Sequence, residues 1–183
     1  MNRRCAIFID GGYLAKVAKN EFTDPKQNYS NLMNKLSQNS GVRLRTYYYD
    51  CLPYKSNQPT VEEKRKYIAK AKFLHAMTRG IDRFQFRQGR LRKNKSGQYE
   101  QKGVDVLLAI DMVRLCSTKQ IDTAVLITGD SDLVPAVEAC KIEGAIVQIY
   151  YDKSSVSDEL LNVCDERYEM DQNFFHQVRT VVY

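Results

Sequence analysis

Two apolar runs in this chain end in the same way, and they constrain its fold more than any other feature. Residues 5–9 lead directly to Asp10 and two glycines, and residues 124–128 lead through one glycine to Asp130 and Asp132. Short apolar runs bounded by such turn residues predict buried parallel strands. In an open α/β sheet the carboxyl ends of the strands line the ligand-binding edge. The sequence therefore predicts that these aspartates meet at one edge of a parallel sheet.

Strand-like and helix-like patterns alternate along the rest of the chain. Strands are predicted at residues 5–9, 42–49, 83–87, 123–128 and 145–150. Helices are predicted at residues 13–20, 29–38, 61–77, 104–116, 133–142 and 157–168. This alternation predicts one α/β domain over residues 1–183, with a mainly parallel central sheet and helices on both faces.

Three segments look like additions to a minimal sheet. Residues 51–59 contain two prolines and form a loop by composition, while residues 89–101 predict a basic turn or hairpin. Residues 170–183 are too apolar for a free tail, so we expect them to pack on the domain or on a second copy in a homodimer.

A third acid, Asp105, stands at the start of a helical pattern. Together with the acids at the strand ends it gives an oxygen-only donor set, without a histidine cluster or a cysteine pair. Mg²⁺ and Mn²⁺ prefer such hard oxygen ligands. The set therefore points to phosphate chemistry assisted by a divalent cation.

Each aspartate also has a purely structural interpretation. Asp10 and Asp130 precede helical patterns, where aspartate is a common N-cap. A second acid at the same strand end, Asp132, is not needed for capping and adds repulsion unless a cation offsets it. Asp111 falls in an otherwise apolar helical stripe, so it is either a structural acid with buried partners or an outer metal ligand; we favour structural support.

The positive charge of the chain is local. The net charge is +6, and the stretch 79–102 holds eight basic and two acidic residues, which accounts for all of it. Basic stretches of this kind bind polyanions. The residues expected to contact nucleic acid are Lys102, Arg83, Arg87, Arg90, Arg92 and Lys93.

Two features bear on where the protein works. The longest clean apolar run, residues 106–110, is far short of a membrane span, so no membrane insertion is expected. The five cysteines are scattered and odd in number, which favours reduced thiols in the cytoplasm over a disulfide framework.

The order of motifs resembles the NYN domains of the PIN-like nuclease superfamily, and most closely their LabA-like branch. The resemblance covers almost the whole chain, and its most specific part is residues 102–148. The motifs that carry it are FIDGGYL at 8–14, KGVDV at 102–106, LAID at 108–111 and LITGDSDLVPA at 126–136.

This resemblance implies a Rossmann-like, PIN-like sheet with an acidic pocket for Mg²⁺ or Mn²⁺ and metal-dependent cleavage of RNA. The catalytic and metal-binding set that it implies is Asp10, Asp105, Asp130 and Asp132, with Asp111, Ser131 and Tyr13 in supporting positions. Many members carry asparagine where this chain has Tyr13. The hypothesis is therefore a ribonuclease, and the alternative is an RNA-binding or scaffold module with weak or no nuclease activity.

Two other classes fit the residues poorly. Phosphatases of the haloacid dehalogenase type also place an aspartate after their first strand, but their second acid would fall at Gly12. A dinucleotide-binding site is disfavoured because the glycines lack the G-x-G-x-x-G spacing.

Overall fold

Six parallel strands form the central sheet of the computed structural model, which describes residues 3–21, 29–93 and 99–179. A separate antiparallel pair, β4 with β5, forms a hairpin. In chain order the strands are β1 (Arg4–Asp10), β2 (Val42–Asp50), β3 (Phe84–Gln88), β4 (Arg90–Lys93), β5 (Tyr99–Lys102), β6 (Thr123–Ile127), β7 (Ile146–Tyr151) and β8 (Glu166–Glu169).

Helices connect the strands of the main sheet. They are α1 (Gly11–Glu21), α2 (Tyr29–Ser37), α3 (Val61–Gly80), α4 (Val104–Ser117), α5 (Val134–Ile142), α6 (Asp158–Val163) and α7 (Gln172–Arg179), with a short 3-10 helix at Ser131–Leu133. The α/β class and the mainly parallel sheet predicted from the sequence are confirmed.

The strand order is β3-β2-β1-β6-β7-β8. The chain builds the sheet outward from β1 in one direction and then outward from β6 in the other, which is the order of the doubly wound Rossmann architecture. The order reverses between β1 and β6. The crevice at this reversal is where such folds bind their ligands.

The sheet separates two apolar layers, and β1 contributes to both because successive side chains of a strand point to opposite faces. Phe8 packs with residues of α4, α5 and α6, whereas Ile7 and Ile9 pack with residues of α1, α2, α3 and α7. All three side chains are fully buried. This burial on both faces explains why the strand reads as a continuous apolar run.

One predicted helix is wrong. The expected helix over residues 157–168 ends at Val163, and Glu166–Glu169 instead forms the edge strand β8. This short strand pairs in parallel with β7, where Tyr150 lies opposite Tyr168 and the two rings stack with their centroids 4.8 Å apart. Pairing with the sheet edge therefore outweighs a helical pattern that continues for only about one further turn.

The C-terminal segment packs on the domain itself as far as the structure describes it. Phe174, Phe175 and Val178 of α7 are buried against the layer that includes α2. The prediction for residues 180–183 lies outside the described residues. No helix within the described ranges is both long and apolar enough to cross a membrane.

Candidate metal and nucleic-acid site

Asp10 lies at the reversal point of the sheet, where β1 ends beside β6. Its Oδ1 accepts hydrogen bonds from the backbone N–H groups of Gly12 (2.9 Å) and Tyr13 (3.0 Å). Asp10 therefore caps the beginning of α1, but this cap uses only one of its two carboxylate oxygens. The pKa of Asp10 is raised to about 6, chiefly by burial and also by the nearby charges of Asp105 and Asp50, while the two backbone hydrogen bonds act in the opposite direction.

Asp130 and Asp132 follow β6, the neighbouring strand. Oδ1 of Asp130 accepts a hydrogen bond from the backbone N–H of Asp132 (3.0 Å) and thereby caps the short 3-10 helix that begins at Ser131. Ser131 is half-buried between the two acids, and the Asp132 residue is exposed. The second acid thus has no capping role, as the sequence indicated, and it stands at the edge of the crevice.

Asp105 approaches the same edge from the first turn of α4, a helix that packs against β1 and the 3-10 helix. Partial burial raises the pKa of its carboxyl group, and the negative charges of Asp130 and Asp132 act in the same direction. Because Asp10 interacts electrostatically with Asp105 as well, the four predicted acids form one connected cluster.

A fifth acid, Asp50, was not predicted. It ends β2, is 3% exposed, and accepts a hydrogen bond from the backbone N–H of Cys51 (2.7 Å). Lys70 of α3 reaches back to pair with its Oδ2. The carboxylate of Asp50 also lies close to Gly11, and only glycine fits there, since a Cβ at position 11 would lie 2.7 Å from Oδ2 of Asp50. The signal was present in the sequence, because Asp50 also ends a strand-like run.

Lys70 places a cation at the acidic edge. Its Nζ lies 6.0 Å from the ring centroid of Tyr48 and 5.6 Å from that of Phe73, so the ammonium group is bounded by aromatic rings as well as by the carboxylate of Asp50. No local pattern in the sequence links Lys70 to Asp50, twenty residues earlier. Helix α3 brings them together as it packs back along the sheet.

Tyr13 is packed rather than presented to the crevice. Its side chain is 9% exposed, and its hydroxyl accepts a hydrogen bond from the backbone N–H of Asp152 (2.8 Å) in the loop after β7. A Cβ at Gly129 would lie 2.6 Å from the Tyr13 ring and would also collide with the carbonyl oxygen of Ser155. Burial raises the pKa of the Tyr13 hydroxyl, so it stays protonated at neutral pH. The tyrosine therefore ties the loop after β7 to α1.

This packing predicts graded losses of stability at position 13. Tyr13→Phe should lower the free energy of unfolding by about 1 kcal/mol, the usual net value of one hydrogen bond. Tyr13→Asn should lower it by roughly 3 kcal/mol, because it also removes a buried ring. Urea denaturation in the presence of chelator measures both. A Tyr13→Asn protein as stable as the parent would contradict the packing described here.

Asp111 is a structural acid in this fold. It is 1% exposed and accepts two hydrogen bonds from Arg87, at 2.8 Å from Nε and 3.1 Å from Nη2. The hydroxyl of Tyr49 donates a further bond at 3.1 Å, and Arg114 lies at 3.4 Å. A buried carboxylate with such partners is satisfied without a metal. Arg87, expected to contact nucleic acid, is therefore paired with Asp111, although its side chain stays 32% exposed.

The basic hairpin stands at the carboxyl edge of the sheet. The backbone N–H of Gly89 donates to the carbonyl oxygen of Asp50 (2.9 Å), which fixes the start of β4 beside the acidic cluster. Arg90 lies opposite Lys102 in the β4–β5 register, so Arg90, Arg92 and Lys102 share one face of the ribbon. All three are exposed.

The two remaining predicted nucleic-acid contacts, Arg83 and Lys93, do not belong to this exposed face as described. Arg83 precedes β3 and donates to the carbonyl oxygen of Arg43 (2.7 Å), so it lies at the amino edge of the parallel sheet, opposite the aspartates. The sequence predicted nucleic-acid contacts for both Arg83 and Arg87, but Arg83 lies at the opposite edge and Arg87 is held by Asp111. The side chain of Lys93 and residues 94–98 lie outside the described residues.

The donor chemistry of the cluster suits a hard divalent cation. Its members are carboxylates, with no histidine or cysteine side chain among them. Among the residues that the structure describes, however, no three His, Cys, Asp or Glu side chains lie close enough together to hold a metal ion. Repulsion from neighbouring carboxylates adds to burial in raising the pKa values of Asp10 and Asp105.

Comparison with known proteins identifies the family of the chain and supports its fold. The family model of the NYN domain matches residues 4–171, so the chain belongs to the NYN domain family, which is part of the PIN-like nuclease superfamily. A solved structure of a protein of unknown function from Vibrio parahaemolyticus RIMD 2210633 has a TM-score of 0.65 at 17% identity, covering 93% of this chain and 94% of that one. This likeness supports the fold. No curated protein matches the chain.

Proposed function

We propose that this protein is a metal-dependent ribonuclease. The observation that carries the proposal is the convergence of Asp10, Asp105, Asp130 and Asp132 at the reversal point of the sheet, beside an exposed basic hairpin. Membership in the NYN family favours nuclease activity over the other chemistries that such a cluster could support.

The four aspartates would hold Mg²⁺ or Mn²⁺, directly or through water. Such a cation supplies charge stabilisation at the phosphoryl oxygens and makes water a stronger nucleophile. Ser131 lies between Asp130, which caps the 3-10 helix, and Asp132 in its first turn. Arg90, Arg92 and Lys102 would hold the phosphate backbone, which provides affinity with little base specificity.

The direct test is a metal titration. The purified protein is incubated with a labelled RNA while Mg²⁺ or Mn²⁺ is raised from zero, with a parallel series in excess chelator. We expect cleavage that rises with the metal and stops in chelator. Cleavage that persists undiminished in chelator, or no cleavage at any metal concentration, contradicts the proposal.

Tyr13 favours the alternative of an RNA-binding module with little turnover. The residue stands where many members carry asparagine, and its hydroxyl is bonded to the Asp152 backbone instead of facing the crevice. RNA binding without metal-dependent cleavage in the titration would support this second function.

The basic face of the hairpin gives a separate prediction about binding. Replacing Arg90, Arg92 and Lys102 together with glutamine should make the slope of log affinity against log salt shallower by up to about 2 units, at about 0.7 for each phosphate that the protein no longer neutralises. The affinity of the protein for RNAs of different sequence should fall by the same factor. Filter binding in chelator from low to moderate salt measures the slope. Arg45, Lys72 and Arg79, exposed residues of β2 and α3, changed together to glutamine provide a control of equal charge, and an equal change in that control would mean that the effect is general.

A further inference from the structure

The beginning of α3 projects beyond the sheet. Lys70 contacts Asp50 at the carboxyl end of β2, and Val61 begins the helix nine residues earlier, about 14 Å farther out at 1.5 Å per residue. The side chain of Thr60 caps this end through the Glu63 backbone N–H (3.2 Å). The projecting turns therefore form a defined wall above the acidic edge.

A cavity of about 360 Å³ lies beside this wall. Its volume falls within the ~300–1,000 Å³ range of small-molecule sites. The cavity is formed by the loop after β2, the first turns of α3 and strand β5, and its lining includes Tyr54, Tyr99, Thr60, Glu62, Glu63 and Lys66. It is thus bounded by elements that also adjoin the aspartate cluster.

Two stacked tyrosines distinguish this cavity from an ordinary surface groove. The rings of Tyr54 and Tyr99 are 3.9 Å apart between centroids and inclined by 18°, yet each residue is 39% exposed. The hydroxyl groups of the two tyrosines also hydrogen-bond to each other, so the pair is held together while part of each ring surface stays exposed. Flat, partly exposed aromatic rings are the usual platform for unpaired nucleobases.

The surroundings suit a nucleic acid strand. Lys66 lines the cavity, and Lys55 lies over the Tyr67 ring at 5.0 Å. The acids at the rim are already engaged, since Glu62 pairs with Lys66 at 2.8 Å and Glu63 accepts from Thr60 and Ser56. Lys66 is thus shared with Glu62, so a phosphate that flanks a stacked base would compete with that carboxylate for it, whereas Lys55, next to Tyr54 in the chain, is a second cation that such a phosphate could contact.

We propose that this cavity is a stacking subsite for an unpaired nucleobase and that it selects single-stranded RNA. The inference rests on the proposed ribonuclease function and adds its substrate class. Tyr54 lies four residues after Asp50, which puts their Cα atoms within about 14 Å of each other. Tyr99 and Lys102 belong to the same short strand, which leads directly to the helix carrying Asp105. A strand whose base occupies the cavity thus reaches the acidic cluster within a few nucleotides, whereas a base inside a duplex has no free face to offer.

The test measures binding in chelator, so that it does not depend on cleavage. The probes are a fluorescent single-stranded RNA decamer, the same decamer with abasic positions, and its duplex. Tyr54→Ala with Tyr99→Ala should weaken binding of the single strand about ten-fold or more, within the range of one stacked base. Binding of the abasic strand and the duplex should be unchanged, and so should the salt slope, because no cation is removed.

Two further variants separate stacking from simple structural support. Phe at both positions keeps the aromatic faces and should restore the affinity of the parent. Leu at both positions keeps apolar bulk, preserving the hairpin contact, and should bind as weakly as the alanine pair. Equal weakening for normal and abasic strands, or full affinity in the leucine pair, would overturn the stacking subsite. If the parent binds single strands with this selectivity but never cleaves, the proposed activity fails and the subsite stands.

Discussion

Asp130→Asn is expected to abolish metal-dependent RNA cleavage while leaving the fold intact. Asparagine retains the oxygen that caps the backbone N–H of Asp132, so the 3-10 helix keeps its first hydrogen bond. The substitution removes the negative charge of the proposed metal ligand that follows β6. Changes to residues that merely support metal ligands cost about 10–100-fold in metal affinity or activity, so the loss of a ligand should exceed about 100-fold.

Asp122 provides the matched control on the same segment. It precedes β6 at the amino edge of the sheet, where its carboxylate accepts from the backbone N–H of Arg4 (2.7 Å). Asp122→Asn makes the same chemical change at the opposite edge and should retain parental cleavage. Single-turnover kinetics at saturating metal compare the two. Parental activity in Asp130→Asn, once contaminating nuclease is excluded, would remove Asp130 from the site.

Asp10→Asn is expected to stabilise the metal-free protein at neutral and alkaline pH. The pKa of Asp10 rises from 3.8 to about 6 in the fold, chiefly because the carboxyl group is buried. Ionising a group whose folded pKa is raised costs stability, and two pKa units correspond to about 3 kcal/mol. Asparagine avoids this cost and can still accept the two backbone hydrogen bonds that Oδ1 receives.

The sign of the pH dependence follows from the direction of the shift. The cost is fully present above pH 6, and it is lost as pH falls through the folded pKa toward 3.8, because the folded parent then binds its proton. Denaturation in chelator should show Asp10→Asn more stable by about 2–3 kcal/mol at pH 8 and nearly equal to the parent at pH 4. Asp82→Asn, on the exposed turn before β3, controls for surface charge.

Added metal should reverse this advantage. Mg²⁺ bound only by the folded parent stabilises it by mass action, while Asp10→Asn binds more weakly and gains less. Parent and variant of equal stability at pH 8 in chelator would contradict the burial and repulsion assigned to Asp10. An advantage of Asp10→Asn that is unaffected by metal would separate Asp10 from metal binding.

Much of the fold and part of the site could be predicted because they depend on local pattern. A strand buried on both faces must be apolar throughout, so β1 and β6 were visible as continuous runs, and the polar residue that ends each run marks the carboxyl edge. Parallel strands share that edge, and this is why Asp10 and Asp130 could be placed together. Asp50 follows the same rule at the end of β2.

The sequence could not determine how individual charged and aromatic side chains are used. Arg83 and Arg87 belong to one basic stretch, yet one lies at the amino edge and the other is held by Asp111, because the sheet separates positions that are close in the chain. Residues 166–169 form a strand only because the edge of β7 offers hydrogen-bond partners. Such outcomes depend on neighbours distant in sequence.

By itself, then, the sequence determined the alternation of strands and helices, the edge at which the acids lie and the basic character of the hairpin. The tertiary structure alone decided that Tyr13 is packed under the loop after β7, that Lys70 pairs with Asp50, and that Tyr54 stacks on Tyr99. Periodicity reports only which face of its own element a residue occupies. Each of these contacts joins separate elements, and the packing that selects the partner is a property of the whole fold.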